Sequence, residues 1–219
     1  MRIDLHTHTL LSDGALLPIE LARRAFAKQH KGIAFTDHVS LSTIERVIDE
    51  TSRDCELATE WNMEAILGVE ITHVPVSKID YVVAEARRLG AELVVVHGET
   101  ISEPVEKGTN KVAVNNPDVD ILAHPGFITV QEAQTAKDNG IALEITSRAM
   151  HSATNGHVAK IAREVGAKMV LNTDAHGPED LLTEDEALIR AIAAGLTKIE
   201  AERAVRKTPL EIVRKVRKR

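Results

Sequence analysis

Aromatic side chains are nearly missing from this chain: Phe26, Phe35, Trp61, Tyr81 and Phe127 make up 2% of 219 residues. A base-stacking platform for single-stranded nucleic acid needs more. The formal net charge of −6 also denies a polyanion the cationic surface it needs, so no nucleic acid partner is expected. Cysteine occurs once, at Cys55, which excludes an internal disulfide framework and suits a reducing compartment. No apolar run approaches the ~18 residues of a membrane span. The first strand-like run starts at residue 2 and leaves no length for a leader peptide. The expected location is the cytoplasm, with no membrane partner. A glycine-rich phosphate loop after the first strand, the usual mark of a doubly wound sheet, is lacking too.

What is present is alternation. Short apolar runs fall at 2–6, 32–36, 65–71, 92–97, 119–124, 141–145 and 168–172. Amphipathic stretches separate most of them, several opened by proline (Pro18) or closed by glycine (Gly90, Gly140, Gly166), as helices are. Residues 100–117 read mostly as loop. Strand–helix alternation predicts an α/β domain with a parallel sheet, and seven units in this length suggest closure into a TIM-like barrel; an open doubly wound sheet is the alternative. Without a composition break, residues 1–219 form one domain, with helices in 197–219 packing on the barrel. The basic tail RKTPLEIVRKVRKR reads as a surface helix with Leu210, Ile212, Val213 and Val216 on one face. The weaker alternative is a docking patch for phosphate-rich partners.

The chemistry-bearing residues gather at strand ends. His6 and His8 close the first run in DLHTH, where positions i and i+2 of a strand share a face. Asp13 follows in LSDG. Asp37 and His38 follow the second run, Glu70 closes the third, His97 the fourth and His124 the fifth. Glu144 and Arg148 lie near the end of the sixth, and Asp174 and His176 follow the seventh. Barrel enzymes collect catalytic groups at the C-terminal ends of strands. Six of ten histidines lie in such places, too many for scattered core histidines. Imidazole and carboxylate without thiolate suit Zn²⁺, Mn²⁺ or Fe. The six histidines with Asp13, Glu70 and Asp174 are too many ligands for one ion and suit about two or three. Such ions generate a nucleophile from water, so no serine or cysteine nucleophile is required.

In order and spacing, DLHTH, TDH, GVE, VHGE, AHPG and NTDAH resemble the motifs of the PHP family, named for polymerase and histidinol phosphatase, from residue 3 to about 182. The resemblance implies a distorted seven-stranded (β/α)7 barrel, a trinuclear metal centre and phosphoester hydrolysis by a metal-bridging hydroxide. It implies a first ion on His6, His8, Glu70 and Asp174, and a second on Glu70, His97 and His124. The third falls to Asp13, His38 and His176. Position 13 is His in some relatives and Asp in others. By the same resemblance Arg148 binds phosphate oxygens as a fork, against the alternative of a surface ion pair.

The expected activity is therefore metal-dependent hydrolysis of a small phosphate monoester. Its alternatives are an amidohydrolase-type hydrolase, disfavoured because the fourth run ends on His97 without a bridging lysine, and a metal-binding scaffold without turnover. The partner is a small phosphoester, and oligomeric state is left open. Among the remaining residues, Asp37 is expected to orient its neighbours and Glu144 to support a ligand or act as a base. Asn155 is expected to cap a helix, His30 to lie on the surface, His73 to touch substrate at most, and His151 and His157 to flank a pocket loop.

Overall fold

Why the seven apolar runs become strands is clear from their burial. All five residues of Leu93–His97 and all five of Ala142–Thr146 are buried, as expected of parallel strands covered on both faces. The computed structural model describes residues 2–219. In chain order the elements are β1 (Arg2–Asp4), α1 (Pro18–Ala27), β2 (His30–Phe35), the two-residue β3 (His38–Val39), α2 (Ile44–Ala58), β4 (Glu64–Ile71), α3 (Ile79–Arg88), β5 (Leu93–His97) and α4 (Thr109–Asn115). There follow β6 (Ile121–Ala123), α5 (Val130–Asn139), β7 (Ala142–Thr146), α6 (Asn155–Val165), β8 (Met169–Asn172), α7 (Glu184–Ala193), α8 (Lys198–Glu202) and α9 (Thr208–Val216). The parallel strands stand in the order β1-β2-β4-β5-β6-β7-β8, with β3 paired to β4. This is a nearly closed TIM-like barrel.

Among the described residues no regular ladder closes β1 on β8. A single parallel bridge joins Thr7 to Ala175, and side chains sew the rest of the seam. Arg2 donates to the Leu171 carbonyl at 2.8 Å, the Leu5 amide donates to Asn172 Oδ1 at 3.0 Å, and Thr173 donates through N and Oγ1 to Asp4. The barrel is distorted at this seam, and the site lies at its upper end.

Two apolar layers follow from strand alternation. Ile3, Ala34, Ile66, Leu93, Val95, Ile121, Ala142 and Val170 fill the interior, whereas Val69, Val94, Val96, Leu122, Leu143 and Leu171 pack outward under the helices. The bottom of the interior is closed by α9, whose Ile212, Val213 and Val216 join the inner cluster. Each fully buried aliphatic side chain contributes about 1.5–3 kcal/mol, so the last helix is structural. Its cations are engaged: Lys215 and Arg219 reach the buried Asp120 at 3.2 Å, and Arg217 pairs with Glu92. The tail is a barrel plug rather than a free basic patch. Capping boxes begin α5, α7 and α8, with Thr129, Thr183 and Thr197 answered by Glu132, Glu186 and Glu200.

Two sequence expectations need correction here, on His30 and Asn155, and the stretch 100–117, mostly loop as read, holds one short helix. This is α4, a two-turn helix whose buried Ala113 and Val114 give too short a stripe to register as periodic. His30 is buried at the start of β2, because α1 stops at Ala27 and the left-handed Gln29 turns the chain inward. Its Nε2 meets the Leu182 carbonyl at 2.7 Å. Asn155 does not cap α6 through its side chain; it clasps Thr146, accepting from its amide and donating to its carbonyl. Among the described residues no helix is long and apolar enough to cross a membrane.

Candidate metal centre

The interior columns of the strands lead directly to the site. Two steps above Ile66 and Gly68 stands Glu70, above Leu93 and Val95 stands His97, above Ala142 stands Glu144, and above Val170 stands Asn172. A period of two keeps each on the inner face, where the apolar filling ends. Two members need a different backbone. His124 and Asp174 have φ of 24° and 53°, a region that non-glycine residues enter at a cost and that clusters at functional sites. Both then turn inward. After His124, Gly126 has φ +59°, and a Cβ there would lie 1.9 Å from the Glu99 carbonyl oxygen; the AHPG turn therefore requires glycine.

All nine residues expected as ligands meet at this end. Glu70 Oε2 lies 3.2 Å from His6 Nε2, 3.5 Å from His8 Nε2 and 2.8 Å from His38 Nδ1. Asp174 Oδ1 is 3.0 Å from His8 Nε2, and its Oδ2 is 3.7 Å from His124 Nε2. His97 and His124 stand edge to face with centroids 4.5 Å apart. Asp13 Oδ2 is 3.1 Å from His176 Nε2 and 3.6 Å from His38 Nε2. Several groups of three or four donors are close enough to share an ion. Among them are His8, Asp13, His38 and His176; His6, His8 and Glu70; and His6, His124 and Asp174.

The donor set fits divalent cations on a further count. His6 Nε2, both His8 nitrogens and both Glu70 oxygens are buried without a well-formed hydrogen bond. Orphaned buried polar atoms are costly and rare, and coordination to an ion removes that cost. The electrostatics describe the same crowding. Burial first, then Glu70 and Glu144, push the Asp174 carboxyl up to about 7, with His6 and His176 opposing. Burial opposes ionisation of Glu70, yet His6, His38 and His97 hold it well below the usual carboxylate range. Burial and the neighbouring His38 depress His8.

Supporting contacts surround the cluster. Glu144 Oε1 lies 2.8 Å from His6 Nδ1, and its Oε2 accepts the His124 amide. Asp37 accepts from the Thr9 amide and hydroxyl and from Ser12 Oγ, at 2.6–2.8 Å. It thereby orders the loop that carries Asp13. A Cβ on Gly14 would press to 2.4 Å from the His8 carbonyl oxygen, so SDG needs its glycine. Arg148 Nη1 is 3.4 Å from Asp180 Oδ2, which also accepts the His176 and Gly177 amides. Its guanidinium thus leans on the loop behind His176. His157 Nε2 donates to the Ile128 carbonyl at 2.8 Å. Cys55 sits in α2, where burial, with Glu92, pushes its thiol up to about 12, leaving no nucleophile there.

Glu103 escaped the sequence reading, and His151 was expected only to flank a pocket loop. Glu103 comes from the loop above β5 and reaches His73 Nε2 at 3.0 Å and His97 and His151 Nε2 at 3.3 Å. His97, then burial acting against it, set its pKa, which falls to about 2. His151 belongs to the cluster rather than to a flanking loop. The available signal was position, since loops above barrel strand ends supply such groups. A cleft of about 430 Å³ opens over Asp13, His38, Thr72, His73 and Glu103, within the range of small-molecule sites.

Residues 4–163 match the family described as PHP domain. An uncharacterized protein of Methanocaldococcus jannaschii is 48% identical over 218 residues, 99% of this chain and 100% of that protein. Ribonuclease P protein component 3 of Methanosarcina mazei is 28% identical, over 94% of this chain and 86% of that protein. A probable phosphatase of Thermoanaerobacter sp. is 29% identical, over 89% and 87%. A chain in the structure of archaeal ribonuclease P with mature tRNA superposes with a TM-score of 0.68 at 16% identity, over 97% of this chain and 89% of that one. That likeness concerns the fold.

Proposed function

Because the chain belongs to the PHP domain family, we propose that it is a metal-dependent phosphoesterase that hydrolyses a small phosphate monoester at this barrel end. The observation that carries the reading is the convergence of nine imidazole and carboxylate side chains around buried atoms that lack hydrogen-bond partners. The relative named a probable phosphatase supports the reaction class. In this reading His6, His8, Glu70 and Asp174 hold one ion, Glu70 with His97 and His124 a second, and Asp13, His38 and His176 a third. The suitable ions are Zn²⁺, Mn²⁺ or Fe.

When bound, the ions supply neutralising charge for a phosphoryl group and an activated water. The chain's own groups do the remaining work. Glu144 fixes the His6 ring by its Nδ1, as outer partners of ligating histidines do, and through Asn172 this contact continues to the barrel seam. Asp37 holds the Asp13 loop in place. Arg148 anchors phosphate oxygens by exchanging Asp180 for the substrate. Exposed Ile101, Phe127 and Met150, from three successive βα loops, offer apolar contact to the group that leaves with the ester oxygen.

A second reading rests on the ribonuclease P protein relative: a member of an RNA–protein assembly in which the barrel has no turnover. The acidic net charge and the complete donor set favour the enzyme. Phosphate release from a panel of phosphate monoesters, histidinol phosphate included, tests the choice after loading with Mn²⁺ or Zn²⁺. Release by the wild type and not by His97→Ala is expected. No release from any ester by metal-loaded protein overturns the phosphoesterase, and RNA binding by the same sample then selects the second reading.

A further inference from the structure

Five histidines of this protein fall into two kinds by which ring nitrogen is occupied, while His8, His97 and His124 keep buried ring nitrogens without a hydrogen bond. His6 and His176 engage an oxygen through Nδ1, Glu144 at 2.8 Å and the Asp174 carbonyl at 2.9 Å, and His38 Nδ1 lies 2.6 Å from Thr72 Oγ1 as well as 2.8 Å from Glu70 Oε2. Each turns Nε2 to the carboxylates of the centre. His30 and His157 do the reverse, spending Nε2 on the carbonyls of Leu182 and Ile128. A nitrogen fixed from outside and the other aimed inward is the arrangement of a metal-ligating histidine.

His151 sorts with the first kind. Its Nδ1 lies 2.7 Å from Thr100 Oγ1 and 2.8 Å from Ser102 Oγ, while Nε2 faces inward, 3.3 Å from Glu103 Oε1. The ring is buried and stacks on His124 at 4.3 Å with an interplanar angle of 17°. Single donor atoms of His97, His124 and His151 lie within 4.8 Å of one another. The backbone is bent to deliver this side chain: Met150, immediately before it, has φ 71°, a strained conformation for a residue with a side chain.

We infer that His151 is a further ligand of the ion held by His97 and His124, oriented by the Thr100 and Ser102 hydroxyls. The inference rests on the proposed metal centre and adds a tenth side chain to it. Three imidazoles and Glu70 would then hold this ion, with Glu103 beside His97 and His151. That makes it the most imidazole-rich position of the centre, and favours Zn²⁺ over Mg²⁺ there.

The test compares metal equivalents per chain, and the visible spectrum of the Co²⁺-loaded protein, among wild type, His151→Ala and Thr100→Val with Ser102→Ala. Circular dichroism confirms folding of each. His151→Ala is expected to bind one ion at least about 100-fold more weakly and to change the Co²⁺ spectrum. The double variant, which keeps the imidazole, is expected to weaken the same ion by about 10–100-fold. Wild-type affinity and an unchanged spectrum in folded His151→Ala overturn the inference while leaving the metal centre standing. Should that variant not fold, unchanged binding by the double variant overturns it. A wild type that holds no ion overturns the metal centre and this inference together.

Discussion

The two ends of the barrel handle buried charge in opposite ways. At the bottom, Asp120 is buried and ringed by Arg87, Lys215 and Arg219, above a plug of Ile212, Val213 and Val216. At the top, Glu70 and Asp174 are buried among histidines, and both Glu70 oxygens lack a well-formed hydrogen bond, as does Asp120 Oδ1 at the bottom, which two cations hold instead at 3.2 Å. Two of the top residues, His124 and Asp174, also hold left-handed backbone. A buried charge is tolerated when paired and costly when not. The bottom therefore contributes stability, whereas the top gathers donors that could hold a cation.

Several measurements sharpen or break this contrast. The largest effect belongs to the top: chelation with EDTA, or His97→Ala, abolishes phosphate release, and full turnover after chelation contradicts the mechanism. At the bottom, Ile212→Ala should cost about 2–5 kcal/mol in urea unfolding; a loss below 1 kcal/mol means the plug is not part of the core. A pH series examines the buried His30, whose pKa burial, with Arg2 nearby, lowers to about 4. The unfolded chain binds this proton near pH 6.5 and the folded chain only near 4. Stability is therefore full above pH 6.5 and falls by about 3 kcal/mol as pH drops to 4. His30→Gln should lack that slope. Glu144→Gln keeps the ring contact but removes the charge, and should weaken metal binding by about 10–100-fold. Smallest and most diagnostic is a pair of neutralisations in metal-free protein. Asp174→Asn should raise Tm by about 3 °C, because burial disfavours its charge, while Asp120→Asn should lower it by a similar amount. Equal signs would erase the distinction between the two ends.

The bottom was the less legible end. Seven strands lie within a few residues of the runs read from sequence, because a doubly buried strand announces itself by continuous hydrophobicity. The two-residue β3 and the short α4 bury too little to leave such a trace. Nothing in RKTPLEIVRKVRKR told that its apolar face enters the barrel and its cations meet Asp120, since that pairing joins residues far apart in sequence. At the top the strand-end residues were legible by type and position, because a period of two carries each onto the inner face. Glu103 and His151 were not, as each depends on loop geometry: one on the excursion above β5, the other on the bend at Met150. His30 misled because a left-handed Gln29 between helix and strand cannot be foreseen from a lone glutamine.

The central claim is that the unsatisfied atoms of the top exist to hold cations. Its most direct test is the melting temperature of EDTA-stripped protein titrated with Mn²⁺ or Zn²⁺, with metal equivalents measured on the same samples. More than one ion per chain is expected, with a Tm that climbs by several degrees as they bind. A Tm that stays flat, with less than one equivalent retained, would contradict it.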